Sequence, residues 1–241
     1  MIKIENVVLA SPDQMSFIIQ GMRNPLNSWD KSDSSCGKAT RDVNVQWDDD
    51  FFIGTNDAQL MRRLAEAGTD HRKFMRMMPV YVRITAGHTF WSEFDTYKVG
   101  TVRNSCSKMH KIHVMGFGLD SFDHEGIDEV GSVTVKMLGE LRSTLQWLAD
   151  MYNKTKEKKY WRAMIELLPM GYHLTANVEL NYEVLANIYK SRKNHKMDEW
   201  REFCKWIETL PYSELITETS GKTDVNTEII DAMMTVKKKE D

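Results

Sequence analysis

The chain has 241 residues, 41% of them hydrophobic and 28% charged, with a formal net charge of −3. That is enough apolar material for one sizeable domain or two small ones, and the slight acidity leaves no general basic footprint for nucleic acid. No run approaches the ~20 apolar residues of a membrane span, and the apolar patches near the start are interrupted by Asn6, Ser11, Asp13 and Gln14 in a way a signal peptide is not. A cytoplasmic protein is expected. Cys36, Cys106 and Cys204 form no CxxC pair, so reduced thiols are expected and no metal ligands are assigned. The lysines from Lys154 to Lys159 and from Lys237 to Lys239 read as solvated charge.

Met1 to Ala10 alternates loosely and predicts a strand, and Ser11-Pro12-Asp13 is a helix start with proline in the first turn, leading to a helix as far as Met22. Asn24 to Asp50, rich in Asn, Asp, Ser and Gly, is long for a loop and predicts either a lid or a segment ordered by a partner chain. Asn56-Asp57 opens a helix with Leu60, Met61 and Leu64 on one face, and Gly68 closes it. Met77 to Ala86 is a period-two strand, with Val80, Val82 and Ile84 facing one way and Tyr81, Arg83 and Thr85 the other.

From Trp91 to His110 the sequence reads WSEFDTYKVGTVRNSCSKMH. After Phe94 it keeps neither the helical nor the strand rhythm, so it is expected to be a loop hinged at Gly100, and polar loops on rigid scaffolds are where sites sit. A short strand is expected from there to Val114, followed by an acidic loop from Asp120 to Glu129. Leu138, Leu141, Leu145 and Leu148 predict a core helix over Val133 to Met151, and Trp161, Met164, Ile165 and Leu168 repeat the pattern ahead of Pro169.

Asn181, Leu185, Ile188 and Arg192 form one stripe on a helix from Asn181 to Arg192. An arginine ending an apolar stripe either reaches an anion or snorkels to solvent. A further helix from Asp198 to Leu210 turns Trp200, Phe203, Cys204 and Ile207 inward. From Thr217 the tail is polar, with one helical turn expected near Ile229 to Met234.

Taken together, residues 55 to 210 resemble the flavin-dependent thymidylate synthase family, the ThyX type. Asp70-His71 sits where that family has Glu-His. The stretch from Glu93 to His110 lies where its signature runs from a Gln through Arg-His-Arg, Ser, Asn-Glu and Ser to Arg-Tyr. Leu168-Pro169, the helix from Asn181 to Arg192, and Glu199 with Arg201-Glu202 also fall in register, with one extra residue near Arg103. The signature is much altered. Glu93 stands for the Gln, Thr96-Tyr97-Lys98 for Arg-His-Arg, Ser105 for the Glu and Met109-His110 for Arg-Tyr, while Asn104 and Ser107 are kept and Thr101 keeps a hydroxyl. Glu183 and Ile165 stand where the family often has arginines. The EFDTYK and NSCS strings resemble a divergent phage and bacterial branch.

The resemblance implies an α+β fold, a central mixed or antiparallel sheet flanked by helices, in one domain over residues 1–216 with a tail over 217–241. It implies FAD, a pyrimidine nucleotide such as dUMP, and a homotetramer with shared sites; methylenetetrahydrofolate and NADPH follow where the family reaction is retained. Carried over by position, Tyr97, Ser105 and Ser107 are the catalytic candidates. His71, Lys98, Asn104 and Asn181 are the cofactor contacts. Glu93, Thr96, Ser107, Lys108, His110 and Arg192 are the substrate contacts. Several arginines of the usual phosphate cradle are missing, and Lys98, Lys108, Arg103 and Arg192 are the cations that could rebuild part of it. Tyr97 and His110 suit stacking or hydrogen bonding to a ring. Cys106, beside Lys108 and His110, has the setting of an activated thiol, although the family position is not catalytic. His71 reads as a flavin contact or a structural histidine, and Trp91 and Trp200 as core. A nucleotide-binding protein that has lost catalysis is the alternative on the same fold, and an assembly subunit a third reading.

Overall fold

A computed structural model describes residues 1–37 and 50–218. In chain order its elements are β1 (Lys3–Leu9), α1 (Pro12–Arg23), β2 (Ser35–Gly37), β3 (Asp50–Phe52), α2 (Thr55–Glu66), β4 (Pro79–Gly87), α3 (His88–Phe94), β5 (Val102–Ser105) and α4 (Lys108–Met115). There follow α5 (Glu125–Val130), α6 (Ser132–Thr155), α7 (Lys158–Leu167), β6 (His173–Asn181), α8 (Tyr182–Arg192), α9 (Asp198–Glu208) and α10 (Glu214–Thr217). The main sheet is antiparallel throughout, in the order β1-β4-β6-β5, and β2 pairs with β3 in a small second sheet.

The strand pattern of β4 decides the layering. Val80, Val82, Ile84 and Ala86 are buried, and the register from Pro79↔Asn181 to Gly87↔His173 sets them beside Leu174, Ala176, Val178 and Leu180 of β6. This face packs with residues of α1, α2, α3, α8 and α9 in one hydrophobic cluster. The other face carries cross-strand polar pairs: Tyr81 Oη donates to Glu179 (3.4 Å), Arg83 Nη1 to Asn177 (3.5 Å), and the Thr85 and Thr175 hydroxyls meet at 2.7 Å. A second cluster, built on Ile112, Leu138, Leu145, Leu148, Met164 and Tyr172, joins α4, α6 and α7 into a helical lobe.

Local chemistry accounts for the element ends. Ser11 and Gln14 form a reciprocal capping box at α1. The loose alternation of β1 reflects a register shift between Glu5 and Val8, where Asn6 takes a positive φ of 52°. Gly54 precedes α2 because the Asp33 carboxylate lies against it and leaves no room for a Cβ. That carboxylate caps the helix from outside, accepting from Asn56 N (2.9 Å) and Asp57 N (3.1 Å).

Three expectations are corrected. The Trp91 to His110 stretch is not a loop: it spans the end of α3, a turn at Thr96 to Thr101, all of β5 and the start of α4. A four-residue edge strand is too short to show alternation, and the cap residue Ser107 breaks the pattern again. The strand expected after His110 is helix α4, in which Ile112 is buried and Ser107 Oγ accepts from His110 N (3.3 Å). Of the Asn24 to Asp50 segment, expected to be a lid or a segment ordered by a partner chain, the described part up to Gly37 holds two 3-10 turns and β2, and residues 38–49 lie outside the described residues. The acidic loop contains α5. The helical turn expected near Ile229 to Met234 lies outside the described residues.

What fixes residues 28–34 is Asp57, fully buried on α2. Its Oδ1 accepts from Arg23 Nε (2.5 Å), and its Oδ2 from the Ser32 and Ser34 hydroxyls (2.8 and 2.6 Å) and the Asp33 and Ser34 backbone (3.1 and 3.0 Å). Burial pushes this carboxyl up, but hydrogen bonds from Ser34, Ser32 and Arg23, with the Arg23 charge, outweigh it and hold it below its ordinary 3.8. Breaking a buried ion pair leaves an uncompensated charge and costs about 3–5 kcal/mol, so Asp57→Ala is expected to lower unfolding free energy in urea by that order. Because the folded carboxyl binds its proton more weakly than the unfolded one, its contribution is complete above pH 3.8 and is lost as pH falls through the lower folded value. Acid titration of the unaltered protein should show this loss, and the Asp57→Ala protein should lack it.

Candidate functional site

The ends of α3, α8 and the start of α9 meet around Arg192. Its Nη1 donates to Glu93 Oε2 (2.7 Å) and its Nε to Tyr97 Oη (3.0 Å). The guanidinium carbon lies 4.9 Å from the centroid of the Trp200 ring and 5.8 Å from that of Tyr97. Of the two outcomes open to this arginine, anion or solvent, the structure holds it on an anion, the chain's own Glu93. The Arg192 and Glu93 side chains are 19% and 32% exposed, so water screens the pair less than it does a surface ion pair. Glu93 Oε2 also lies 3.5 Å from His195 Nε2. Met197 N donates to His195 Nδ1 (3.3 Å), which puts the proton of the neutral ring on Nε2, facing Glu93. His195 was not among the residues singled out from sequence; a histidine three residues past Arg192 was the available signal.

The turn between α3 and β5 is held by Thr96 and Asn181, which the resemblance assigns to ligands, together with Thr101. Thr96 Oγ1 donates to the Glu93 carbonyl (2.7 Å) and Thr101 Oγ1 to the Tyr97 carbonyl (2.6 Å). Asn181 is the N-cap of α8 and not a member of its apolar stripe: Oδ1 accepts from Val184 N (3.0 Å), while Nδ2 donates to the Gly100 carbonyl (3.4 Å). Gly100 has φ +81°, a conformation that favours glycine, and a Cβ there would lie 2.9 Å from Asn181 Nδ2 and press on the amide that holds the turn. Lys98, on the same turn, is exposed and makes no ion pair among the described residues.

Beyond the turn the candidates disperse. Asn104 and Ser105 are exposed on the edge strand β5, with Asn104 opposite Asn177 in register. Ser107 caps α4, and the His110 ring is exposed. Cys106 is half-buried, its backbone N donating to the Thr175 carbonyl (2.9 Å). Arg103 packs over Trp91 at 4.9 Å and pairs with Asp95 (3.1 Å). His71 lies half-buried in the segment after α2, and the Arg72 beside it forms an ion pair with Glu183 of α8 (2.6 Å), both buried or nearly so. Trp91 and Trp200 are buried in the core, as expected. The structure thus gathers Glu93, Tyr97 and Arg192, ties Thr96 and Asn181 to them through the turn, and sets Asn104, Ser105, Ser107, Lys108 and His110 along β5 and α4.

At the start of α4 the Lys108 ammonium contacts the His88 ring at the start of α3. Burial, then the charges of Lys108 and Arg103, push His88 below its ordinary 6.5. Lys108 is also lowered, by burial above all, with Arg103 adding to it and Cys106 opposing it. No group of three or more His, Cys, Asp or Glu side chains suited to a metal ion occurs among the described residues.

No protein-family model matches the chain, and no curated protein sequence does. Solved structures do match. Thymidylate synthase X (ThyX) from Helicobacter pylori, crystallised with FAD and dUMP, is similar with a TM-score of 0.62 at 14% identity, over 92% of this chain and all of that one. A second structure, the flavin-dependent thymidylate synthase ThyX from Helicobacter pylori complexed with FAD and dUMP, gives 0.58 at 14% identity over 88% and 97%. The chain therefore has the ThyX-like fold, an antiparallel sheet flanked by helices.

The contact between two basic groups makes a measurable prediction. His88 should titrate below 6.5 in a ring-proton NMR titration, and Lys108→Met, which removes one of the positive neighbours, should raise that midpoint. Since the unfolded ring binds its proton more tightly, stability falls as pH drops below about 6.5, and the same substitution should lessen that fall.

Proposed function

We propose that this chain is a flavin-dependent enzyme of the thymidylate synthase type, transferring a one-carbon unit reductively to C5 of a pyrimidine nucleotide, dUMP or a modified relative. The observation that carries the reading is the extent of the fold likeness: the match takes in the whole of a chain crystallised with FAD and dUMP. Bound FAD would supply the hydride, with methylenetetrahydrofolate and NADPH as co-substrates and a homotetramer with shared sites as the assembly.

The residues present suit ligands that carry phosphate. Among the described residues Lys98 and Arg83 are exposed cations without an ion pair, Asn104 and Asn177 lie side by side next to Arg83, and phosphate oxygens favour such donors. In this reading His71, Lys98, Asn104 and Asn181 hold the cofactor, Asn181 by fixing the turn. Thr96, Ser107, Lys108, His110 and Arg192 face the nucleotide together with Glu93. Tyr97 Oη accepts from Arg192, which leaves its own proton free to donate. Ser107 Oγ accepts from His110 N and likewise keeps a proton to offer, while Ser105 completes the catalytic set.

The purified protein should take up FAD and show the visible bands of a bound flavin. FAD and dUMP should each raise its melting temperature, since a ligand at 100 times its Kd stabilises the folded state by about 2.7 kcal/mol. A colourless protein that binds no FAD would refute the enzymatic reading. Stabilisation by nucleotide without any response to FAD is the outcome a non-catalytic binding protein gives.

A further inference from the structure

We infer that Glu93 is an internal occupant of the anion site formed by Arg192 and His195, and that a ligand's phosphate gains Arg192 only by displacing it. This rests on the reading of Arg192 as a ligand contact given above. Arginine recognises a phosphate best through two parallel N–H donors on one edge of the guanidinium. In this chain Nε is committed to Tyr97 Oη and one Nη1 proton to Glu93 Oε2, so the Nε–Nη2 edge has a donor in use and the Glu93 carboxylate sits against Nη1. The Trp200 and Tyr97 rings limit its reorientation. His195 adds to the same site, its Nε2 lying 3.5 Å from the same carboxylate oxygen.

A phosphate arriving at this edge meets a fixed negative charge a hydrogen bond away from the group it seeks. The two anions compete for one cation in a partly desolvated setting, where close charge pairs couple strongly. Glu93 is therefore a specificity-determining residue. It weakens the binding of phosphate-bearing ligands through Arg192 while leaving an uncharged pyrimidine nucleoside unaffected. A merely structural Glu93, there to anchor the end of α3 to α8, would instead leave anion affinity unchanged when neutralised.

Isothermal titration of the full chain with inorganic phosphate, dUMP and deoxyuridine, for the unaltered protein and Glu93→Gln, separates these roles. Glu93→Gln is expected to bind phosphate and dUMP about tenfold tighter or more, an effect the further change Arg192→Met abolishes, with deoxyuridine unchanged. Equal or weaker phosphate and dUMP binding by Glu93→Gln overturns the inference, and where the unaltered protein binds dUMP the proposed function survives that result. Tighter phosphate binding with no affinity for any pyrimidine supports the occupied anion site and overturns the proposed function. Should Glu93→Gln not fold, Glu93→Ala, which removes the carboxylate without placing an amide beside Arg192, is read by the same criteria.

Discussion

The register between β4 and β6 is the constraint on which the rest depends. One residue of slip would turn Val80, Val82 and Ile84 away from the helices and bring Tyr81 and Arg83 into the core. It would also move what the strands deliver. β4 runs directly into α3 and so places Glu93; β6 ends at Asn181, which caps α8 and so places Arg192. The contact between Glu93 and Arg192, 99 residues apart in the chain, is thus a product of strand pairing, with the Thr96 to Thr101 turn locked to the same junction by Asn181 and Gly100.

Basic side chains near this junction are treated in three different ways. Arg192 is neutralised by a carboxylate and flanked by aromatic rings, Arg103 covers Trp91 and meets Asp95, and Lys108 is set against another base. Positive charge is therefore plentiful, yet much of it answers to groups within the chain. That distribution, and not the number of lysines and arginines, decides how strongly a phosphate is held.

Much of the fold was legible because the larger elements have strong periodicity. The Val80, Val82, Ile84 alternation, the Leu138, Leu145, Leu148 spacing and the inward face of α9 all appear as expected, and Ser11-Pro12 marks the start of α1. The resemblance supplied the sheet and its flanking helices. β6 was not among the expected elements, although Leu174, Ala176, Val178 and Leu180 alternate cleanly in it. β5 and α4 were illegible for a physical reason: a four-residue edge strand and an eight-residue helix carry too few buried positions for a period to show. At the site, Arg192 was marked by its place at the end of an apolar stripe, but its partner could not be read, since spacing along one helix says nothing about which carboxylate another helix brings to it. His195 and His88 stood on no repeating pattern at all.

The helical lobe has a consequence for how the chain folds. It lies between β5 and β6, so strands adjacent in the sheet are separated by residues 106–172. Pairing over such separations is slow, because the entropy of closing the intervening chain is lost before any contact compensates it. Packing between α6 and α7 is local, by contrast, and draws neighbouring stretches together with little chain to close. Once formed, the lobe replaces a long flexible connection by a compact one whose two ends are already near each other: Phe122 bridges to Tyr172, and Trp161 Nε1 donates to the Met109 carbonyl (2.8 Å). The core of the lobe thereby shortens the effective length of chain that must close for β5 to pair with β6.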